Sequence, residues 1–344
     1  MVGMAVVKLI IQIPCFNEAE NLPQTLMDLP RRIEGIDTIE YLVIDDGSND
    51  GTAQIARRWG VHHIVRHPGN RGLAAAFSTG LAASLAAGAD IVVNTDADNQ
   101  YDGRDIEKLV QPILTGEAEI VMGDRGVAAN PHFGPFKRRL QIFGSHVVQR
   151  LSGTNVTDAV SGFRAMSRQA AQRINITTSF SYTTEMLIQA GRKRMAIRSV
   201  PVRTNGAVRP SRLFKSIPQF ITNTGMTMAR SYAMYNPLRV FAAAGAIVAC
   251  VGMLPILRFL AYYALGEGNG HTQSLVLGGA LLTLGLITMM LGVIADLIGR
   301  NRQLSELALE KLRLIEDRLD GRYSPPLSEA RGEQTPAART GTGG

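Results

Sequence analysis

Two long apolar runs near the end of the chain limit its possible folds more than any other feature. Residues 240–265 carry one charged side chain, Arg258, and residues 275–298 carry one, Asp296, each near the far end of its run. At 1.5 Å per helical residue, about 24 residues reach roughly 36 Å, enough to cross a hydrocarbon core of about 30 Å. Residues 266–274 between them are a short polar turn, and a chain of 344 residues has little else with which to bury two such helices. The pair therefore predicts a hairpin in a lipid bilayer, spanning residues 237–300 overall. Arg230 and Arg239 precede the first run, Arg300 and Arg302 follow the second, and the turn offers only Glu267. Basic residues stay on the cytosolic side, so both ends of the hairpin are expected there. Arg258 is expected to snorkel to the outer interface.

The flanks fit this frame. In residues 211–236, Leu213, Phe214, Ile217, Phe220 and Ile221 recur at helical spacing beside Arg212, Lys215 and Arg230. That pattern predicts an amphipathic juxtamembrane helix lying in the interface. Residues 301–322 predict a C-terminal cytosolic helix. Its stripe of Leu304, Ala308, Leu312, Ile315 and Leu319 resembles a short coiled coil suited to a homo-oligomer. Residues 323–344, rich in Pro, Gly, Ser and Thr, predict a disordered tail. The first residues lack a basic n-region, and Lys8 and Gln12 interrupt their apolar run. They read as a first strand rather than a signal peptide, with the N-terminus expected in the cytosol.

The formal charge of +7 suits anionic lipid or phosphorylated substrates, but with 6% aromatics and no basic-aromatic repeat a nucleic-acid partner is not expected. Two cysteines rule out a disulfide scaffold or a four-cysteine zinc site. Across residues 1–210, β-rich runs at 6–13, 39–44, 63–66, 91–95 and 119–123 alternate with helical stretches at 22–32, 51–59, 72–87 and 105–114. Such alternation predicts an α/β domain with a mostly parallel sheet covered on both faces. Ligands of such sheets sit at the carboxyl ends of the strands.

Acidic clusters stand at those ends. Pro14-Cys15-Phe16-Asn17-Glu18 follows the first strand, Asp45-Asp46-Gly47-Ser48 the second, and Asp96-Ala97-Asp98-Asn99-Gln100 the fourth. Gathered carboxylates repel unless a cation compensates, and hard oxygen donors suit Mg²⁺ or Mn²⁺, which also hold substrate phosphates. No Gly-x-Gly-x-x-Gly or Walker-type loop is present, so dinucleotide and ATPase readings find no support.

At these residues the chain resembles the family 2 glycosyltransferases. Pro14-Cys15-Phe16-Asn17-Glu18 is similar to their Pro-x-Tyr-Asn-Glu opening, with Phe16 in place of tyrosine. Val43-Ile44-Asp45-Asp46-Gly47-Ser48 through Asp50-Gly51-Thr52 resembles their second motif, and Asn70-Arg71-Gly72-Leu73-Ala74 their third. Asp96-Ala97-Asp98-Asn99-Gln100 and Asp158-Ala159-Val160-Ser161-Gly162-Phe163-Arg164 are similar to motifs of the dolichyl-phosphate mannose synthase group. Bacterial members of that group carry two membrane helices after the catalytic domain. Arg209-Pro210-Ser211-Arg212-Leu213 stands where the group often has Gly-x-Ser-Lys-Leu.

The resemblance implies a GT-A fold and transfer of a hexose from a UDP- or GDP-linked donor to polyprenyl phosphate, inverting and metal-dependent. It implies a nucleotide site of Pro14, Phe16, Glu18, Val43, Asp45, Asp46 and Asp96, with Asp45 on the nucleobase. Asp96, Asp98 and Gln100 would surround the metal. Arg125, Arg139, Arg164 and Arg212 would meet the acceptor phosphate, and Asp158 would orient an arginine or the sugar. Asp98, Asp158 and Arg125 are the expected catalytic residues. Undecaprenyl phosphate is the expected acceptor, and the enzyme is expected in the cytoplasmic membrane with both termini cytosolic. The alternative is a family 2 enzyme acting on another lipid or cell-envelope glycan. A processive polysaccharide synthase would carry Gln-x-x-Arg-Trp, whereas Trp59, the single tryptophan, lies in no such motif.

Overall fold

A computed structural model describes residues 6–126, 144–146, 148–150, 152–154, 156–176, 182–205, 232–233, 236–266 and 271–319. Arg139, Arg212, nearly all of the expected juxtamembrane helix and the expected tail lie outside the described residues. The chain forms two compact units, one built on a sheet and one on two long helices.

The sheet has seven strands: β1 (Lys8–Cys15), β2 (Thr38–Asp45), β3 (His63–Arg66), β4 (Ile91–Asn94), β5 (Ile120–Asp124), β6 (Arg164–Ser167) and β7 (Ile197–Pro201), in the order β3-β2-β1-β4-β6-β5-β7. β6 runs antiparallel to both its neighbours, and all other pairings are parallel. The helices are α1 (Leu22–Asp28), α2 (Thr52–Arg58), α3 (Leu73–Ala86), α4 (Ile106–Leu114), α5 (Arg168–Arg173) and α6 (Tyr182–Arg192).

β1 is apolar on both faces because both are covered. Leu9, Ile11 and Ile13 join Val43, Val93 and Val121 in one core with Leu22 of α1 and Ile106, Leu109 and Ile113 of α4. Ile10, Ile44 and Val92 are also fully buried. On the Ile44 side α3 comes so close that a Cβ on Gly80 would stand 2.7 Å from Gln12 Oε1 and from Ile44 Cδ1.

Pro14 does not end β1, as the sequence suggested. In a parallel ladder successive residues bond to opposite neighbours. The Cys15 carbonyl accepts from Asp46 N on the β2 side at 2.8 Å, and the Gln12 carbonyl accepts from Thr95 N on the β4 side at 3.1 Å. Pro14 therefore faces β4. Lacking an N–H, it stops that ladder while β2 carries β1 on to Cys15. The expected helix 22–32 ends early, at Asp28, because Leu29 precedes Pro30 and is extended (ψ 138°).

The second unit contains α7 (Pro237–Ala264) and α8 (Thr272–Leu319) as far as Lys311. The apolar parts, Pro237–Ala264 and Thr272–Asn301, are long enough to cross a membrane and have mean hydropathies of 2.4 and 2.2. The two helices touch through glycines. A Cβ on Gly245 would lie 2.6 Å from the Gly285 carbonyl, one on Gly278 would lie 2.7 Å from the Gly252 carbonyl, and one on Gly292 would meet Phe241 Cβ at 2.8 Å. Gly278, Gly285 and Gly292 recur every seven residues, which keeps them on one face of α8. The helix expected over 301–322 continues directly from the second apolar run, α8 running unbroken from Thr272 to Leu319.

Candidate active site

The loops after β1 and β2 are bonded into one piece. Asn17 N donates to Ser48 Oγ at 2.9 Å, Asn49 N to Asn17 Oδ1 at 2.9 Å, Glu18 N to Thr52 Oγ1 at 3.0 Å and Ala19 N to Asp50 Oδ2 at 2.9 Å. Asn17 sits at φ 54°, in the left-handed region that asparagine tolerates best among non-glycine residues. Asp45 lies fully buried beneath this joint. Its Oδ1 accepts from Ser48 N at 2.8 Å. Its Oδ2 has no hydrogen-bond donor among the described residues, although Arg66 Nε stands 3.2 Å away as an ion-pair partner.

Asp46, expected at the nucleotide, is bonded to the loop after β3. Oδ1 accepts from His67 Nδ1 at 2.6 Å and Arg71 N at 2.9 Å, and Oδ2 accepts from Gly72 N at 2.8 Å. It ties the 71–72 turn to β2. Val43 is likewise not at the strand ends: it is fully buried in the core with Ile11 and Ile13. Burial, followed by the charge on Glu18, pushes the Cys15 thiol pKa up.

The carboxylate loop follows β4. Burial first, then the charge on Asp98, pushes the Asp96 carboxyl up to about 7. Gly162 presses on it from the other side: a Cβ there would lie 2.9 Å from Asp96 Oδ1. Asp98 Oδ1 accepts from Gln100 N at 3.1 Å. Two carboxylates, one with a raised proton affinity, fit a hard divalent cation. Among the described residues no group of three or more His, Cys, Asp or Glu side chains could hold one. Mg²⁺ is commonly held by one or two carboxylates completed by substrate phosphates, and this site matches that division.

Arg125, just past β5, forms a two-pronged pair with Asp158: Nε donates to Oδ2 at 2.6 Å and Nη2 to Oδ1 at 2.9 Å. Both side chains are almost wholly buried. Arg125 also acts electrostatically on Asp96 and Tyr101. Burial pushes Tyr101 up to about 12, so its hydroxyl stays protonated, and it accepts from Gly162 N at 3.1 Å. Motifs far apart in sequence thus share one site: Asp96, Asp98, Tyr101, Arg125, Asp158 and Gly162.

A family model described as "Glycosyl transferase family 2" matches residues 10–174. The UDP-N-acetylglucosamine–dolichyl-phosphate N-acetylglucosaminyltransferase of Methanococcus voltae is 30% identical over 215 residues, 56% of this chain and 83% of its own. The chain belongs to glycosyltransferase family 2. Glycosyltransferase AglJ of Haloferax volcanii is 28% identical to it over 293 residues, 83% of this chain and 91% of its own. Glucosyl-3-phosphoglycerate synthase of Mycobacterium tuberculosis, solved with Mn²⁺, UDP and glucosyl-3-phosphoglycerate, superposes with a TM-score of 0.50 at 23% identity. The match covers 64% of this chain and 80% of that one. The sheet unit has the GT-A fold, and the protein is a glycosyltransferase.

In this glycosyltransferase Arg164, expected at the acceptor phosphate, lies in the interior of the sheet unit. It is fully buried, and its guanidinium donates to the carbonyls of Ser161 at 2.7 Å, Thr183 at 3.1 Å and Ala159 at 3.2 Å. Buried charge demands such bonding, so Arg164 braces the 158–163 loop. Several partners went unread in the sequence. Asn94 takes a bond from Gln12 Nε2 and donates to the Gly162 carbonyl at 2.9 Å and Tyr182 Oη at 3.1 Å. Its signal was an amide ending the apolar run Ile91-Val92-Val93.

Proposed function

We propose that this glycosyltransferase moves a hexose from a UDP- or GDP-sugar to a polyprenyl phosphate, with undecaprenyl phosphate as the acceptor, at the cytosolic face of the cytoplasmic membrane. One observation carries the reading. A single chain joins a GT-A sheet, with two carboxylates beside an arginine at its strand ends, to a helical pair long and apolar enough for a bilayer. A sugar donor is water-soluble and a polyprenyl phosphate is not, so an enzyme joining them needs both parts. The dolichyl-phosphate named for the Methanococcus voltae relative supports the acceptor class. Arg239 and Arg300 at the outer ends of the helical pair support a cytosolic catalytic unit.

Asp96 and Asp98, with Gln100 beside them, would hold Mg²⁺ or Mn²⁺. When bound, that ion would neutralise charge on the departing nucleoside diphosphate. Asp45 Oδ2, ion-paired with Arg66 but without a hydrogen bond among the described residues, would accept a nucleobase N–H, with Pro14, Phe16 and Glu18 alongside. The acceptor phosphate is largely ionised near pH 7, with a second pKa around 6, and needs alignment rather than a strong base. Asp158 fits that economy. Both its oxygens are occupied by Arg125, so it orients that guanidinium and takes no proton. Arg125 then places the phosphate in line with the sugar carbon, with Arg139 and Arg212 proposed as further phosphate contacts. A single displacement inverts the anomeric centre.

The test is a panel of radiolabelled UDP- and GDP-sugars given to the full chain in lipid nanodiscs, with and without undecaprenyl phosphate. Label should enter the lipid phase only when the lipid phosphate is present. Equal transfer without it, or transfer to an added glycan, would overturn the acceptor.

A further inference from the structure

The carboxylate loop is not self-supporting. Asn99, between Asp98 and Gln100, has φ 55°, and among the described residues only Asn17, Asn99 and Arg194 take positive φ without being glycine. Such a conformation persists when the surroundings over-determine it. Here they lie far along the chain. The segment after β7 runs alongside the loop: Asp102 N donates to the Arg203 carbonyl at 3.3 Å, Tyr101 and Thr204 form an isolated antiparallel bridge, and Asn205 N donates to the Gln100 carbonyl at 2.9 Å. Arg203 anchors the segment by donating from its backbone N to Asp105 Oδ2 at 2.6 Å and from Nη2 to Asp105 Oδ1 at 2.7 Å. Asn205 Nδ2 then donates to the Asn99 carbonyl at 3.0 Å, across 106 residues of chain. On the other side Asn99 Nδ2 is held by Asp28 Oδ2 at 2.8 Å.

We propose that Asn205 is a positioning residue for the divalent cation: its side chain and backbone N–H together lock the Asp98–Gln100 turn, and so fix where the Asp98 carboxylate stands relative to Asp96. Asn205 touches neither carboxylate in this scheme. It acts on the peptides that follow Asp98, so its loss changes the orientation of ligands rather than their number. The proposal rests on the metal reading given above.

The experiment measures Mn²⁺ binding to the full chain with saturating UDP, from the electron paramagnetic resonance signal of free Mn²⁺. Asn205→Ala should weaken binding by about tenfold, the lower end of what outer partners of metal ligands cost. The melting temperature without metal should stay unchanged. Turnover should need correspondingly more Mg²⁺, approach the unaltered rate at saturating Mg²⁺, and keep its KM for undecaprenyl phosphate. Adding Asn99→Gly, which adopts positive φ without a steric penalty, should recover at least about a third of the lost affinity on a logarithmic scale. Mn²⁺ binding unchanged in Asn205→Ala overturns the proposal while leaving the metal reading intact. So does weakened binding that Asn99→Gly fails to improve. Loss of folding in both variants would make Asn205 a structural residue and also overturn it. No Mn²⁺ binding by the unaltered chain would overturn the metal reading itself.

Discussion

In the sheet unit Leu9, Ile10, Ile11 and Ile13 have no exposed surface, whereas in the helical pair Leu254, Val276 and Met290 are each about two-thirds exposed. The sheet is held by removing apolar surface from water, at about 25 cal/mol per Å². The helical pair cannot be, because in a bilayer its surroundings are as apolar as its side chains. Its contacts run through Gly245, Gly252, Gly278, Gly285 and Gly292, where backbones approach closely enough for van der Waals packing. Polar groups differ as well. The sheet unit buries Asp45, Asp158 and Arg164 and gives each a specific partner or acceptor. The spans carry almost none. Specific bonding is concentrated where chemistry happens, and close packing where anchoring happens.

Mutations confined to one unit should therefore leave the other untouched. Arg125→Ala should have the largest effect. It strands a buried Asp158, which costs about 3–5 kcal/mol when a buried pair loses one member. Denaturant unfolding of the sheet unit should show that loss, and Asp158→Asn in the same background should recover part of it. Asp98→Asn should come next. Turnover should fall at least about a hundredfold, roughly 2.7 kcal/mol of barrier, with an unchanged melting temperature and unchanged partition into detergent. An equal fall in stability would mean that Asp98 serves the fold.

Gly285→Leu tests the other unit. A larger side chain facing the Gly245 carbonyl should cost about 1–3 kcal/mol of helix–helix packing. UDP affinity, measured calorimetrically, should stay within about twofold, or roughly 0.4 kcal/mol. A collapse in UDP affinity would break the contrast between the units.

The smallest effect concerns Asp105. Against the desolvation of burial, bonds from Arg203 and Lys108 lower its pKa to about 2. Its folded pKa lies below the unfolded value, so its contribution is present above about pH 4 and is lost as pH falls toward 2. Asp105→Asn should flatten the acid limb of a stability–pH curve in that window by lowering the plateau above it, where the ionised carboxylate otherwise contributes.

Strands β1 to β5 and helices α1 to α4 were legible in the sequence because periodicity and turn residues are local signals. The acidic clusters were legible for the same reason, since each follows its strand directly. What escaped depended on distance or burial. Arg164 has the chemistry of a phosphate ligand, and only its apolar neighbours Phe163, Ala165 and Met166 hinted at an interior position. Asp46 and Asp45 are adjacent and alike, yet one is tied to the 71–72 turn while the other keeps an unbonded oxygen. No local pattern separates them. The bond between Asn205 and Asn99 closes 106 residues. The boundary placed at residue 300 followed the end of the apolar run. Charged residues are good helix formers, and no glycine or proline follows Gly299 before Gly321, so α8 had no reason to stop.

That continuity has a mechanical consequence. From Asn301, where the apolar part ends, α8 continues to Leu319, 319 − 301 = 18 residues further. At 1.5 Å per residue this is an arm of about 27 Å. An unbroken helix has no slack between its ends. The apolar part of α8 and its polar end therefore share one orientation, and a change of about 20° in it corresponds to about 9 Å at Leu319.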